Sequence, residues 1–405
     1  MQEKQARWDL DFMTLCLTQA RQAEGRTAPN PMVGAIVVSV DGVVVGKGFH
    51  RAAGLEHAEV VALNEAQDAA RGGTLYVSLE PCNHFGRTPP CAPRVIESGI
   101  KRVVIGMLDP HEIVSGSGIK ALEAAGLEVV VGVLEDECRF LNRAFVKSVT
   151  EKMPWTILKM ASTLDGKIAD RNGKSRWVTG TEARQYVHNL RNKVDCVLVG
   201  RKTVELDDPV LSVRDVLRGR DPKRAVVDSH LVTARESKIY KTTSGGPTTV
   251  FCLPEAAMKL EQQHEHSPTN GSSGTKTKTQ EKTQEKTVAK TTGPFPAHVS
   301  VVTAPESNDG SGLDLNVVLS KLHEQGVHSL LCEGGSVLAA SLLKANLIDE
   351  VHWIIAPKII GDERAQPSIS SAKMVDLDDA LELSSVKHLR LGDDMLIQGF
   401  VRKKL

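Results

Sequence analysis

The densest run of chemistry-bearing residues lies between His57 and Cys91, HAEVVALNEAQDAARGGTLYVSLEPCNHFGRTPPC. The imidazole of His57 and the thiols of Cys82 and Cys91 make a three-ligand zinc set. It leaves the fourth tetrahedral position open, as catalytic rather than structural zinc sites do. Glu59 stands two residues from His57, and its natural role is to take a proton from the water that the metal acidifies and pass it on. Taken singly, His57 reads as a surface histidine and each cysteine as a buried hydrophobe, because free Cys is commonly core. The order and spacing of all four carry the metal reading, not their number.

The elements that must position these groups can be read around them. His57 opens a helical pattern with Val60, Val61, Leu63 and Ala66 facing inward, and Gly72-Gly73 ends it. TLYVSLE is a strand closed by Pro81-Cys82, and a Gly/Pro-rich loop leads to a second helix from Cys91 to about Ser98. Cys82 and Cys91 are expected near helix N-termini, where the dipole favours the thiolate. The layout follows the zinc-deaminase pattern H-x-E then P-C-x-x-C, except that eight residues separate Cys82 from Cys91. Upstream, Asp9 to about Gln22 is amphipathic, with Phe12, Leu15, Cys16 and Ala20 on one stripe. VGAIVVS and VVVGKGFH flank an Asp41-Gly42 hairpin turn. Downstream come the strand KRVVIGML, a helix from Ile119 to Ala125, the strand LEVVVGVL and a polar helix, EDECRFLNRAFVKSV. Alternating strands and helices imply a three-layer α/β domain over residues 1–150.

A second α/β domain is expected over 151–405, with strands WTILKMA, DCVLVG, RAVVDS, HVSVVTA, VHSLLCEGG and EVHWIIAPKII, a hairpin-like SRWVTG and the helices TEARQYVHNLRN, LNVVLSKLHEQG and SVLAASLLKA. Residues 264–292 are rich in Ser, Thr, Lys, Gln and Gly and hold almost nothing apolar. Such a stretch cannot offset its ordering entropy, so a disordered low-complexity insertion is expected there. Glu333-Gly334-Gly335 joins an apolar strand to a helix. It is either an ordinary tight turn or a phosphate cradle, since glycines let a ligand approach the backbone and a helix N-terminus offers free amides. GSGIKA at Gly116–Ala121 fits G-x-G-x-x-A but lacks the surrounding βαβ unit, and is not read as a dinucleotide site. Arg191, Arg201, Arg214, Asp207 and Asp208 surround one apolar strand; they are either surface ion pairs or a grip on a phosphorylated substrate. Lys159 and Asp165 are open in the same way.

The 405 residues suit two or three domains. Formal charge is zero and aromatics are 4%, which argues against binding nucleic acid or an anionic membrane surface. Seven widely spaced cysteines fit a reducing compartment with thiols reserved for metal. Neither a signal peptide nor an apolar run of membrane-spanning length is visible, and a cytoplasmic protein acting on small molecules is expected.

The chain resembles the bifunctional pyrimidine deaminase/5-amino-6-(5-phosphoribosylamino)uracil reductase of riboflavin biosynthesis. The resemblance rests on APNPMVG, HAEVVAL and LEPCNHFGRTPPC in the first half. In the second it rests on STLDGKIA, SRWVTG, VHNLRNKVD, VGRKTV, DDPVLSVR, VVDS, EGG and LIDE with IAPKIIG. It implies a cytidine-deaminase-like domain followed by a dihydrofolate-reductase-like domain, with Zn2+ and NADPH as cofactors and assembly as a homo-oligomer. It implies that His57, Cys82 and Cys91 bind zinc, that Glu59 shuttles the proton, and that Asn30 and His50 line the pyrimidine pocket. Positions matching Ala161, Trp177, Thr203, Asp207, Ser229, Gly335, Ser336, Val337, Leu338, Ala339, Ala340 and Ser341 contact the nicotinamide cofactor in that family. Those matching Ser175, Arg191, Leu211, Arg214 and Glu333 contact the sugar phosphate, and Asp207 is the candidate for a catalytic role in reduction. The family's usual DPNP is Asp109-Pro110-His111-Glu112 here, and Asn83 and Phe85 replace the usual Ser and His. The rival function class is a nucleic-acid or nucleoside deaminase with an appended non-catalytic domain.

Overall fold

The apolar runs assemble into two separate main sheets. The computed structural model describes residues 2–86, 88–111, 115–265, 294–370 and 376–402. Packing divides the chain into two units, Met1–Trp155 with Leu319–Ser329, and Thr156–Val318 with Leu330–Leu405. The return of Leu319–Ser329 to the first unit is a feature that a linear hydrophobic pattern cannot express.

The first unit holds α1 (Gln2–Arg21), β1 (Gly34–Val38), β2 (Val44–Phe49), α2 (Ala58–Ala66), β3 (Thr74–Leu79), α3 (Cys91–Glu97), β4 (Arg102–Met107), α4 (Ser117–Ala124), β5 (Glu128–Val131), α5 (Glu135–Leu141) and α6 (Arg143–Glu151). Strand order is β2-β1-β3-β4-β5. β1 is antiparallel to β2 and β3, while β3, β4 and β5 run parallel. Side chains alternate between the faces of a strand, and the glycines show which helix covers which face. A Cβ on Gly34 would strike the α1 backbone at Cys16 and Ala20, whereas Gly46 and Gly48 abut α2 at Ala62 and Ala58. Gly46 and Gly48 pair with Val37 and Ala35, one step out of phase with Gly34, so helices cover both faces in three layers. The core between them includes Ile36, Leu63, Leu75, Tyr76, Val104, Ile105 and Met107.

Two local expectations are corrected. α1 begins at Gln2 rather than Asp9. The single polar helix is instead two, α5 and α6, which break at Asn142. Asn142 leaves helical geometry to clip the Met32 backbone, accepting from its N–H at 2.8 Å and donating to its carbonyl at 3.0 Å.

The remaining elements are β6 (Trp155–Thr163), β7 (Lys167–Ala169), α7 (Thr181–Lys193), β8 (Cys196–Gly200), α8 (Arg201–Asp207), β9 (Lys223–Val227), α9 (Lys238–Lys241), β10 (Thr248–Cys252), α10 (Pro254–Glu265), β11 (Val299–Thr303), α11 (Leu315–Glu324), β12 (Ser329–Cys332), α12 (Ser336–Lys344), β13 (Glu350–Ala356), β14 (Gln366–Pro367), β15 (Leu383–Leu391) and β16 (Asp394–Val401). The nine-stranded sheet has the order β11-β10-β9-β8-β12-β6-β13-β16-β15. Its C-terminal hairpin, β15 with β16, is antiparallel, and neither this hairpin nor β10 is among the sequence expectations. The expected hairpin at SRWVTG does not form; residues 176–179 make a turn and a bend. The polar groups of 175–180 are engaged elsewhere: the Gly180 N–H donates to Asp394 at 2.7 Å, and Lys358 donates to the Trp177 carbonyl at 2.8 Å. β7 pairs with β14 instead. The insertion expected at 264–292 lies outside the described residues from 266 onward, while 264 and 265 end α10. Among the described residues no helix is long and apolar enough to cross a membrane.

Candidate active sites

His57 is the N-cap residue of α2, Glu59 lies in its first turn, and Cys91 is the first residue of α3. Cys82 follows β3 and is not itself at a helix end, contrary to expectation. The chain bends so that the Cys91 N–H donates to the Cys82 carbonyl at 3.0 Å and to its sulfur at 3.3 Å, which brings Cys82 to the α3 N-terminus through space. The ends of the eight-residue loop therefore meet, and its unusual length does not matter. One ligand atom from each of His57, Cys82 and Cys91 lies within 4.8 Å of the others. His57 Nδ1 is 3.2 Å from Cys91 Sγ and 3.5 Å from Cys82 Sγ. Zinc bonds of about 2.3 Å to sulfur and about 2.0 Å to nitrogen at a tetrahedral angle require an N···S separation of about 3.5 Å, so the donor set fits zinc.

Electrostatics prepare the site. Hydrogen bonding from the Cys91 thiol holds Cys82 well below the ordinary thiol value, and the same contact pushes Cys91 upward. Glu59 is 3% exposed, and burial pushes its carboxyl up to about 7. A carboxyl poised there both accepts and returns a proton near neutrality. The His50 ring meets the His57 ring edge-on at 5.3 Å. His50 Nδ1 lies 3.1 Å from the Glu56 carbonyl, which only accepts, so its Nε2 accepts from Asn30 Nδ2 at 3.0 Å. Asn30 and His50 thus join the zinc ligands and Glu59 in one site.

Sequence reasoning missed Glu80. It is 4% exposed and accepts from the backbone N–H groups of Asp109 at 3.3 Å, Gly116 at 3.0 Å and Gly118 at 3.0 Å. Both ends of the loop after β4, which carries His111, are tied in this way to the segment bearing Cys82. The only sequence signal was an acid at the end of an apolar strand, two residues before a ligand.

In the second unit a cavity of about 1000 Å3 opens where β8, β9 and β12 end. Open parallel sheets bind ligands at this edge. Thr203, Asp207, Ser229, Gly335, Ser336, Val337, Leu338, Ser341 and Ser175 line it. Ala339 and Ala340 do not: they are buried on the other side of α12, because a seven-residue helical stretch cannot turn every side chain to one ligand. Ala161 packs against the Ala183, Val187, Ile354 and Leu396 cluster. Trp177 is 61% exposed under the Arg184 guanidinium. The cavity is also lined by Ser307, Asn308, Asp309 and Ser311, on a loop that no motif flagged.

Deeper in the same unit Arg191 and Glu333 form a two-pronged pair at 2.6 and 2.9 Å. Burial alone would raise the Glu333 carboxyl, but the Arg191 and Lys159 charges outweigh it and hold it low. Burial pushes the Lys159 ammonium down, against the pull of Glu333 and Asp207. Ser175 donates to Asp207 at 2.6 Å, and the Arg214 N–H donates to His188 at 3.3 Å. Leu211 is buried with φ +57°. Lys159 and His188 thus join the expected residues, and Asp207 links this cluster to the cavity.

Residues 6–107 match the cytidine and deoxycytidylate deaminase zinc-binding region, and residues 154–397 match the RibD C-terminal domain. The riboflavin biosynthesis protein RibD of Aquifex aeolicus is 39% identical over 389 residues, covering 96% of this chain and 97% of that protein. The structure of Acinetobacter baumannii RibD superposes with a TM-score of 0.80 at 30% identity, covering 98% of this chain and all of that one. The Thermotoga maritima diaminohydroxyphosphoribosylaminopyrimidine deaminase/5-amino-6-(5-phosphoribosylamino)uracil reductase superposes at 0.79 and 32% identity, with 98% and 100% covered. These matches carry both halves of the chain together, the deaminase-like and the reductase domain in one order, and on that ground the chain belongs to the RibD family of riboflavin biosynthesis proteins.

Proposed function

We propose that the first unit deaminates 2,5-diamino-6-ribosylamino-4(3H)-pyrimidinone 5′-phosphate and the second reduces the ribosyl group of the resulting 5-amino-6-(5-phosphoribosylamino)uracil. The chain is a bifunctional enzyme of riboflavin biosynthesis that uses zinc and NADPH. When bound by His57, Cys82 and Cys91, zinc acidifies the attacking water. Glu59 holds the proton released by that water and delivers it to the leaving amine, so that water is consumed and ammonia departs. Asn30 and the neutral His50 present fixed polar atoms to the pyrimidine. The observation that carries this half is the buried Glu59 in the first turn of α2, beside a ligand set with zinc spacing.

In the second unit NADPH supplies the hydride to C1′. Gly335, Ser336, Val337, Leu338 and Ser341, with Thr203 and Ser229, hold the cofactor. The Arg191–Glu333 pair, Ser175 and Arg214 hold the sugar phosphate. Opening the ribosyl ring at C1′ leaves its oxygen in need of one proton, and the buried Lys159 ammonium, which feels both Glu333 and Asp207, supplies it. By family likeness the enzyme works in the cytoplasm as a homo-oligomer, which sedimentation of the purified chain tests. The activity test is a coupled assay on the zinc-loaded protein. Ammonia released without NADPH, followed by matching NADPH consumption, is the expected result; NADPH consumption with no ammonia would overturn the deaminase assignment, and ammonia alone the reductase assignment.

A further inference from the structure

The two nitrogens of the His57 ring face different partners. Nδ1 faces the sulfurs of Cys91 and Cys82 at 3.2 and 3.5 Å, while Nε2 lies 3.2 Å from Thr88 Oγ1. A ring that gives its Nδ1 lone pair to a metal carries its proton on Nε2. That N–H points at the Thr88 hydroxyl, which accepts it. The neighbouring imidazole cannot do the same work, because both nitrogens of His50 are already committed, to the Glu56 carbonyl and to Asn30.

We propose that Thr88 is the positioning residue of the metal site: its hydroxyl fixes the tautomer and ring plane of His57 so that Nδ1 is presented to zinc. Thr88 lies on the loop between the two cysteine ligands, three residues before Cys91. The loop that brings the sulfurs together therefore also carries the group that aims the imidazole. Metal-ligating histidines are generally oriented by such a partner on the second nitrogen, and loss of the partner weakens metal binding about 10–100-fold. A hydroxyl does this without adding charge, which suits a site where two sulfurs and the Glu59 carboxyl already converge.

The inference rests on the zinc reading of His57, Cys82 and Cys91, and the test separates the two. Zinc affinity is measured by competition with a chromophoric chelator for the wild-type chain, Thr88→Val and Thr88→Ser, with thermal unfolding followed by circular dichroism on the same preparations as the check that each chain is folded. The expected result is zinc bound about 10–100-fold more weakly by Thr88→Val and restored by Thr88→Ser. Wild-type affinity in Thr88→Val would overturn the role of Thr88 and leave the zinc reading standing. A serine variant as weak as the valine variant would overturn the role of the hydroxyl. A wild-type chain that takes up no zinc would overturn the zinc reading itself.

Discussion

Gly48→Ala is the sharpest test of how the fold positions the deaminase site. Gly48 faces α2, and a Cβ there would sit 2.6 Å from Ala62 N and 3.0 Å from Val61 Cβ, and closer still to the Ala58 carbonyl. Real Cβ contacts essentially never fall below 3.0 Å, so the overlap with Ala58 is close to an ångström. β2 cannot yield easily, because it is paired along β1 and Gly34 of β1 is itself pressed against α1. α2 must move instead, and it carries His57 at its cap and Glu59 in its first turn. Overpacking of this kind costs about 1–3 kcal/mol, and misplacing a catalytic group by about 1 Å costs about 10²-fold in rate. Ammonia release should therefore fall about two orders of magnitude, while NADPH consumption, measured on the deaminated substrate, stays at the wild-type level. Undiminished deamination by a folded Gly48→Ala chain would refute the argument that close backbone packing of α2 on β2 sets the site.

Glu59→Gln keeps the size of the side chain and the zinc ligands, so bound zinc should persist while deamination falls at least about 10²–10⁴-fold; a variant that still deaminates removes Glu59 from the mechanism. Arg191→Ala strands the Glu333 carboxylate, whose side chain is 9% exposed, and should destabilise the second unit by about 3–5 kcal/mol and weaken the ribotide KM, read from urea unfolding and steady-state kinetics. Arg191→Lys keeps the charge but not the fork, and should recover stability more than KM. Asp9 accepts both prongs of Arg102 at 2.8 Å and the Tyr76 hydroxyl at 2.8 Å. Burial alone would raise its carboxyl, but these bonds outweigh it and hold it below 3.8. A depressed folded-state value means that stability is present above pH 3.8 and lost as pH falls through that lower value. Thermal unfolding should therefore drop on acidification below about pH 4, and Asp9→Asn should be less stable at neutral pH and flatter on the acid side; a parallel acid limb would refute the linkage.

Much of the molecule was legible locally. β1 to β5 of the first unit were readable from runs of branched and apolar residues, as were α2 and α3, which flank the zinc loop. The grouping of His57, Cys82 and Cys91 was legible because residue type and order survive any folding of the loop between them. What went unread shares one physical cause: the energy lies in pairs far apart in the chain. Asn142 breaks a predicted helix because it binds Met32, 110 residues away. The turn and bend at 176–179 replace a hairpin because polar groups of 175–180 meet Asp394 and Lys358.

Residue types and their order specify which atoms could do chemistry: one imidazole, two thiols and a carboxyl in the first half, and arginines, acids and a glycine turn in the second. Packing sets how those atoms behave. Arg191 and Glu333, 142 residues apart, become one buried pair. Glu59 gains its raised carboxyl only because α2 seats it in the core. His57 turns Nδ1 to two sulfurs and Nε2 to Thr88, an orientation no linear pattern shows. Residue type sets what a group can donate or accept; burial and neighbours, which no linear pattern encodes, set the protonation state and the direction in which it acts.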